Sequence, residues 1–92
     1  MKRSQVVVPW PQGLHLRAAA RLVIIARKFR SNISLRNGSS VASLKNILSV
    51  IALTAFTGSL LEIEATGPDE QEAVSAMESE FSRSETDSSS FN

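Results

Sequence analysis

Apolar and polar positions divide the chain into seven segments. Residues 5–8, Gln5-Val6-Val7-Val8, are short and β-branched, the pattern of a strand. Pro9-Trp10-Pro11-Gln12-Gly13 follows, and two prolines with a glycine break any regular element, so this stretch is a loop. From Leu14 the period changes. Ala19, Leu22, Val23, Ala26 and Phe29 recur at helical spacing, and Ala18, Ala19 and Ala20 favour helix intrinsically. The spacing predicts a first helix over about residues 16–29. Arg17, Arg21 and Lys28 lie on another face, while Arg27, Lys28 and Arg30 gather at the end, where cations suit the helix dipole.

Asn32-Ile33-Ser34-Leu35-Arg36 alternates as a half-buried strand does, and Asn37-Gly38 is a favoured hairpin turn. The return strand, 39–43, has Val41 facing in and a weak composition that suits a sheet edge. Ile47, Leu48, Val50, Ile51 and Leu53 form a short second helix with too many apolar positions for one stripe. Val50 and Leu53 fit the core. Ile47, Leu48 and Ile51 then either cluster in the open, as at a protein contact, or also serve as core. Gly58 ends the segment.

Residues 61–65 alternate as a strand, and Gly67-Pro68 turns the chain. Asp69 opens the last helix with Glu72 three residues on, as in a capping box. Ala73, Val74, Met77 and Phe81 supply its buried stripe. Residues 84–92 are too polar to pack and are expected to be disordered, which leaves one domain over 1–83. There is no internal repeat. The order β-α-β-β-α-β-α predicts a two-layer α+β fold, its sheet bare on one side at Ser34, Arg36, Glu62 and Glu64.

At 92 residues the chain fits one compact domain. It has no cysteine, which excludes disulfides and thiolate chemistry and suits a reducing cytoplasm. A formal net charge of +1 gives no broad field for nucleic acid. Behind the basic Met1-Lys2-Arg3 stands only Val6-Val7-Val8 before two prolines, too little for a secretory signal. The most apolar region, 47–56, is interrupted by Ser49 and Thr54 and is too short to span a bilayer. The expectation is therefore a cytoplasmic protein without membrane insertion.

The chemistry centres on His15, the only histidine, at the junction of the Pro/Gly loop and the first helix. Such a junction offers the amides of Leu16 and Arg17 and the positive end of a dipole, which together bind anions and phosphate above all. Arg17 presents a guanidinium to phosphate oxygens, and Gly13 lets the backbone turn tightly or approach a ligand. A neutral imidazole is a nucleophile near neutral pH, and the positive surroundings favour that neutral form. The same donors stabilise a transferring phosphoryl group, so one side chain serves as acceptor and donor with no metal and no cofactor. Two plainer readings stand beside this one: a histidine at a helix start serves as a cap or an exposed polar group, and most helix arginines are simply solvated. Trp10 either meets a partner near His15 or packs its own loop.

Gly13-Leu14-His15-Leu16-Arg17 followed by Ala18-Ala19 resembles the active-site signature of the HPr phosphocarriers of the bacterial phosphotransferase system. Leu22-Val23, Ala26 and Phe29 extend the likeness. Leu44-Lys45-Asn46-Ile47-Leu48 resembles the start of the family's second helix, and Gly67, Asp69-Glu70 and Ala73 resemble its last turn and helix. The resemblance implies an open-faced β-sandwich, four antiparallel strands covered on one face by three helices. It implies that His15 is phosphorylated on Nδ1 by enzyme I, itself charged by phosphoenolpyruvate, and passes the group to IIA proteins or domains. Arg17 would assist the phosphate, and Leu16, Ala20, Ile47, Leu48 and Ile51 would dock both partners, with the protein a monomer.

The chain departs from the family pattern twice. Ala18 stands where proline is usual. Alanine is at ease in a first helical turn, so the expected loss is about a kcal/mol or less and transfer survives. Asn46 stands where many relatives carry a serine modified by a regulatory kinase. Asn cannot accept the group as Ser does, so that regulation is not expected, nor are Ser43 or Ser49 expected to replace it. Leu35-Arg36-Asn37 and Glu64-Ala65-Thr66-Gly67-Pro68 are similar to the nitrogen-related branch of the family.

Three other functions compete. A non-catalytic regulatory module would dock through the same apolar face, and relatives without the histidine do so. A hydrolase would pair His15 with a serine, but no serine sits in a Gly-rich nucleophile turn. A nucleic-acid binder would use the basic first helix, but stacking aromatics are few.

Overall fold

The computed structural model describes residues 1–82, and the tail expected to be disordered over 84–92 lies outside them. Seven elements follow in order: β1 (Lys2–Val7), α1 (Leu16–Ala26), β2 (Asn32–Asn37), β3 (Ser40–Ser43), α2 (Ile47–Ile51), β4 (Leu60–Thr66) and α3 (Glu70–Phe81). The strands form one antiparallel sheet in the order β1-β4-β2-β3. The weak β3 therefore lies at an edge, as its composition predicts. Ile33, Leu35, Leu61, Ile63 and Ala65 face the helices and are buried with the apolar stripes of α1 and α3. On the outer face Arg3 opposes Glu64 and Arg36 opposes Glu62, each pair close enough for a salt bridge at 3.7 and 3.8 Å. Exposed pairs of this kind add little stability individually but fix which face stays wet.

β1 runs from Lys2 to Val7 rather than over 5–8, because its ladder with β4 already opens at Lys2 opposite Ala65 and closes at Val7 opposite Leu60. Four further local expectations change. Val41 points to solvent and Ala42 points in, because the register sets Val41 opposite Arg36 and Ala42 opposite the buried Leu35. Residues directly opposed share a face, so one position's shift reverses the strand. Asn37 is the last residue of β2 rather than part of the turn. Gly38 and Ser39 are the two loop residues, with Gly38 at φ +64°, the residue and sign that a type II′ hairpin needs first. Helix α1 ends at Ala26, where Lys28 N–H bonds Ile25 C=O and Phe29 N–H bonds Ala26 C=O in a tightened last turn. Arg27, Lys28 and Arg30 thus follow the helix. The Lys45 ammonium instead satisfies the Phe29 carbonyl at 2.9 Å.

The fourth concerns Asp69. It stands at the N-cap of α3, yet its carboxylate makes no capping bond. It reaches across to the link between α1 and β2, accepting from Arg30 N–H at 2.9 Å and from Ser31 N–H at 2.9 Å, and also from the Ser31 hydroxyl. Ser31 is fully buried, so those amides need an acceptor that no helix or strand supplies. Glu70 rather than Glu72 turns back, accepting from Gly67 N–H at 3.0 Å and from the Met1 ammonium at 2.7 Å.

The Ser31 hydroxyl, then the Arg30 amide, hold the Asp69 carboxyl below its ordinary value. A depressed folded pKa contributes stability above the unfolded pKa, and that stability is lost as pH falls through the folded one. Asp69→Asn is therefore expected to melt lower than the parent at pH 7, with the gap closing below about pH 4, where the unfolded carboxyl is protonated. Thermal midpoints measured from pH 7 to pH 2 check this; a gap constant across that range rules it out.

Candidate functional site

Hydrogen bonds fasten the loop before α1. Gly13 N–H bonds Trp10 C=O at 2.9 Å, His15 N–H bonds Gly13 C=O at 2.9 Å, and Leu14 N–H bonds Ala55 C=O at 3.0 Å. Trp10 is completely buried and packs its ring on Phe81 of α3, with centroids 5.0 Å apart. The ring thus belongs to the core and packs on the last helix rather than offering itself to another protein. Gly13 is in the left-handed region at φ +71°, and a Cβ there would lie 2.7 Å from the Ala55 carbonyl oxygen. Only glycine allows both the turn and the approach.

His15 occupies the N-cap of α1 with extended backbone, φ −83° and ψ 177°, and its carbonyl accepts the first helical bond from Ala19 N–H at 2.9 Å. Its side chain makes no capping bond, so the plain capping role does not describe it. The ring is half-buried, and the amides of Leu16, Arg17 and Ala18 precede that first bond, at the positive end of α1. Arg17 is exposed two residues on. No Asp or Glu occurs before Glu62, so the two loops that meet here and both helices beside them carry no acidic side chain. The surroundings favour an anion.

Helix α2 runs antiparallel beside α1. At its start Arg27 donates to the Lys45 carbonyl at 3.3 Å; beyond its end Ala55 meets Leu14 at the head of α1. Leu16 and Leu48 are exposed by 64% and 75%, whereas Ala20, Ile47 and Ile51 are half-buried. Both readings of the apolar cluster thus hold in part: Ile47 and Ile51 lean on the core, and Leu48 stands in solvent.

Asn46 has a defined structural task. It is the N-cap of α2, its side-chain oxygen accepting from Leu48 N–H at 3.1 Å and Ser49 N–H at 3.3 Å. A five-residue helix depends on such a cap, because few of its amides have partners within it.

Two further features escaped the reading of the chain. Glu80 is buried and meets Arg21 of α1 at 3.2 Å, tying the two helices together. The signal was present: Glu80 falls seven residues after Ala73, on the helix's own buried stripe. Thr54 adopts φ +49°, uncommon for any side chain and an outlier for a β-branched one. Relief of that strain outweighs the added chain entropy, so Thr54→Gly is expected to stabilise the fold by about 0.5–1 kcal/mol. Urea unfolding measures it, and a destabilised variant would show the Thr54 hydroxyl bond to the Leu53 carbonyl to be worth more.

A four-stranded open-faced sandwich with a lone histidine at the head of its first helix and apolar side chains beside it defines a class of small carrier that works against other proteins. The family model described as the PTS HPr component phosphorylation site matches residues 2–83. The phosphocarrier protein HPr of Cupriavidus necator is 46% identical over 66 residues, 71% of this chain and 73% of that protein. A solved HPr from Thermoanaerobacter tengcongensis superposes with a TM-score of 0.83 at 32% identity, covering 90% of this chain and 98% of that one. An HPr dimer from the same organism gives 0.67 at 35% identity, covering 77% and 86%. The chain belongs to the HPr family and is a phosphocarrier of the phosphotransferase system, not a catalytic enzyme. Among the described residues no helix is long and apolar enough to cross a membrane.

Proposed function

We propose that His15 is the atom-carrying residue of this phosphocarrier: it accepts a phosphoryl group from phospho-enzyme I and delivers it to a IIA protein or domain. The observation that carries the reading is the half-buried imidazole at the head of α1, whose side chain is not used as a cap. In the first exchange a ring nitrogen lone pair forms a new N–P bond as the donor's N–P bond breaks. The donor's imidazole leaves with its electron pair, and the second exchange reverses the roles. Such transfers need positioning and charge stabilisation more than covalent help. The amides of Leu16 and Arg17 and the Arg17 guanidinium supply that stabilisation.

Leu16, Ala20, Ile47, Leu48 and Ile51 form the surface that both partners meet. Asn46 excludes phosphorylation at that position, and its cap keeps α2 formed without it. The protein acts as a monomer in the cytoplasm, and light scattering that finds a dimer at micromolar concentration overturns that part. The central test is incubation with enzyme I of the same host and phosphoenolpyruvate. The expected result is a mass gain of one phosphoryl group, acid-labile and located on His15, that is lost again when IIA is added. No gain, or a gain elsewhere, overturns the reading.

A further inference from the structure

Two loops meet at the head of α1, residues 8–15 and 52–59, and they are laced together along their length. Val8 N–H donates to Ser59 C=O at 3.0 Å, Gly58 N–H to Val8 C=O at 2.9 Å, and Leu14 N–H to Ala55 C=O at 3.0 Å. Those bonds join backbone to backbone. Between them the Thr57 hydroxyl donates to the Trp10 carbonyl, and this tie depends on the side chain at 57. The second loop is folded so as to present it. Ser59 N–H bonds Phe56 C=O at 2.9 Å, and Gly58 at φ +89° takes the third position, which a type II turn reserves for a left-handed residue. Thr57 is then the corner residue. Phe56 N–H donates to the Ser59 hydroxyl at 3.0 Å and closes the same turn a second time.

What the hydroxyl holds is the carbonyl from which the histidine hangs. Trp10 C=O also accepts Gly13 N–H at 2.9 Å, closing the turn over Pro11 and Gln12, and Gly13 C=O accepts His15 N–H at 2.9 Å. Trp10 is completely buried, so its carbonyl meets no bulk water, and two protein donors fill its two acceptor positions. The turn is thus fixed from outside as well as from within. We propose that Thr57 is a positioning residue for phosphoryl exchange. Acting through the Trp10 carbonyl, it holds the 10–13 turn in the orientation that presents the His15 imidazole for in-line attack. This rests on the reading of His15 as the acceptor. Thr57 is itself exposed, so removing its hydroxyl leaves the core packed and Gly13 still paired with Trp10. What changes is the share of time that His15 spends aligned. Transfer of this kind depends on positioning, and a misplacement of about 1 Å costs on the order of a hundredfold in rate.

The test is single-turnover transfer from phospho-enzyme I over a range of carrier concentrations, for the parent, Thr57→Val and Thr57→Ser. Thermal midpoints and the His15 ring-proton signals are recorded for each. Valine keeps the branched shape without the hydroxyl, and serine keeps the hydroxyl without the methyl. In Thr57→Val the saturating rate is expected to fall about three- to tenfold, with the half-saturating concentration within about twofold of the parent. The ring-proton shifts of His15, the only histidine, are expected to move at fixed pH in Thr57→Val and to stay at the parent's values in Thr57→Ser, whose rate is also the parent's. An unchanged saturating rate in Thr57→Val, a weaker half-saturation in its place, a serine variant as slow as the valine one, or rates that follow the thermal midpoints overturns the proposal. The two readings fail distinguishably. A parent that takes no phosphoryl group on His15 removes the acceptor assignment and this proposal with it. A parent that does, beside an unimpaired Thr57→Val, removes this proposal alone.

Discussion

His15→Ala is expected to take up no phosphoryl group from enzyme I and phosphoenolpyruvate, while folding as the parent does. The side chain makes no capping bond, so truncation leaves the helix start intact and stability within about 1 kcal/mol. The loss is chemical: without a ring nitrogen nothing at the head of α1 forms the N–P bond. Arg17→Ala removes a guanidinium from an exposed position, so it is expected to keep the acceptor and slow transfer about ten- to a hundredfold. Mass spectrometry of the first variant and single-turnover kinetics of the second separate nucleophile from electrostatic helper. Stoichiometric phosphohistidine in a chain whose one histidine has been removed is chemically excluded, so any phosphate found there would sit on another residue type and move the site.

Gly13→Ala has the next largest expected effect, and on both stability and transfer. The left-handed backbone costs an alanine about 1–2 kcal/mol. The new methyl also meets the Ala55 carbonyl oxygen at 2.7 Å and the Phe56 Cα at 3.1 Å, both backbone atoms that no rotamer change moves aside. Together these predict a loss of about 2–4 kcal/mol and a thermal midpoint lower by on the order of 15 °C. Because the displaced loop carries the Leu14 to Ala55 bond, His15 shifts with it, and transfer is expected to slow at temperatures where the variant is still folded. Differential scanning calorimetry and the phosphorylation assay read the two effects. A midpoint within about 2 °C of the parent would mean that the loop yields to the methyl without strain.

The elements and their order were legible in the sequence because each announces itself over a short span. The alternation of 61–65, the stripe of Ala19, Leu22, Val23 and Ala26, and the prolines at 9 and 11 are local signals. His15 was legible for the same reason, as a lone imidazole between a breaker and a helix. Boundaries were less so: α1 stops at Ala26, three residues before the periodicity ends at Phe29, because the chain tightens into i→i−3 bonds there. The inward face of β3 was misread because four residues of mixed polarity carry no face of their own. Leu35 and Arg36 across the ladder assign it.

By itself, then, the sequence determined the kind and order of the elements and that one histidine opens a helix, since these follow from spacings within a turn or two of chain, while the bounds of α1 and β1 do not. Tertiary structure alone decided that Asp69 serves Arg30 and Ser31 rather than its own helix, and that Glu80 meets Arg21. It also decided that the loop of Thr54, Ala55 and Phe56 is clamped to Gly13 and Leu14. Each of those contacts joins segments about 38 to 60 residues apart in chain order, where loop closure erases any local signal and only the shared need to satisfy buried amides and exclude voids selects the partner.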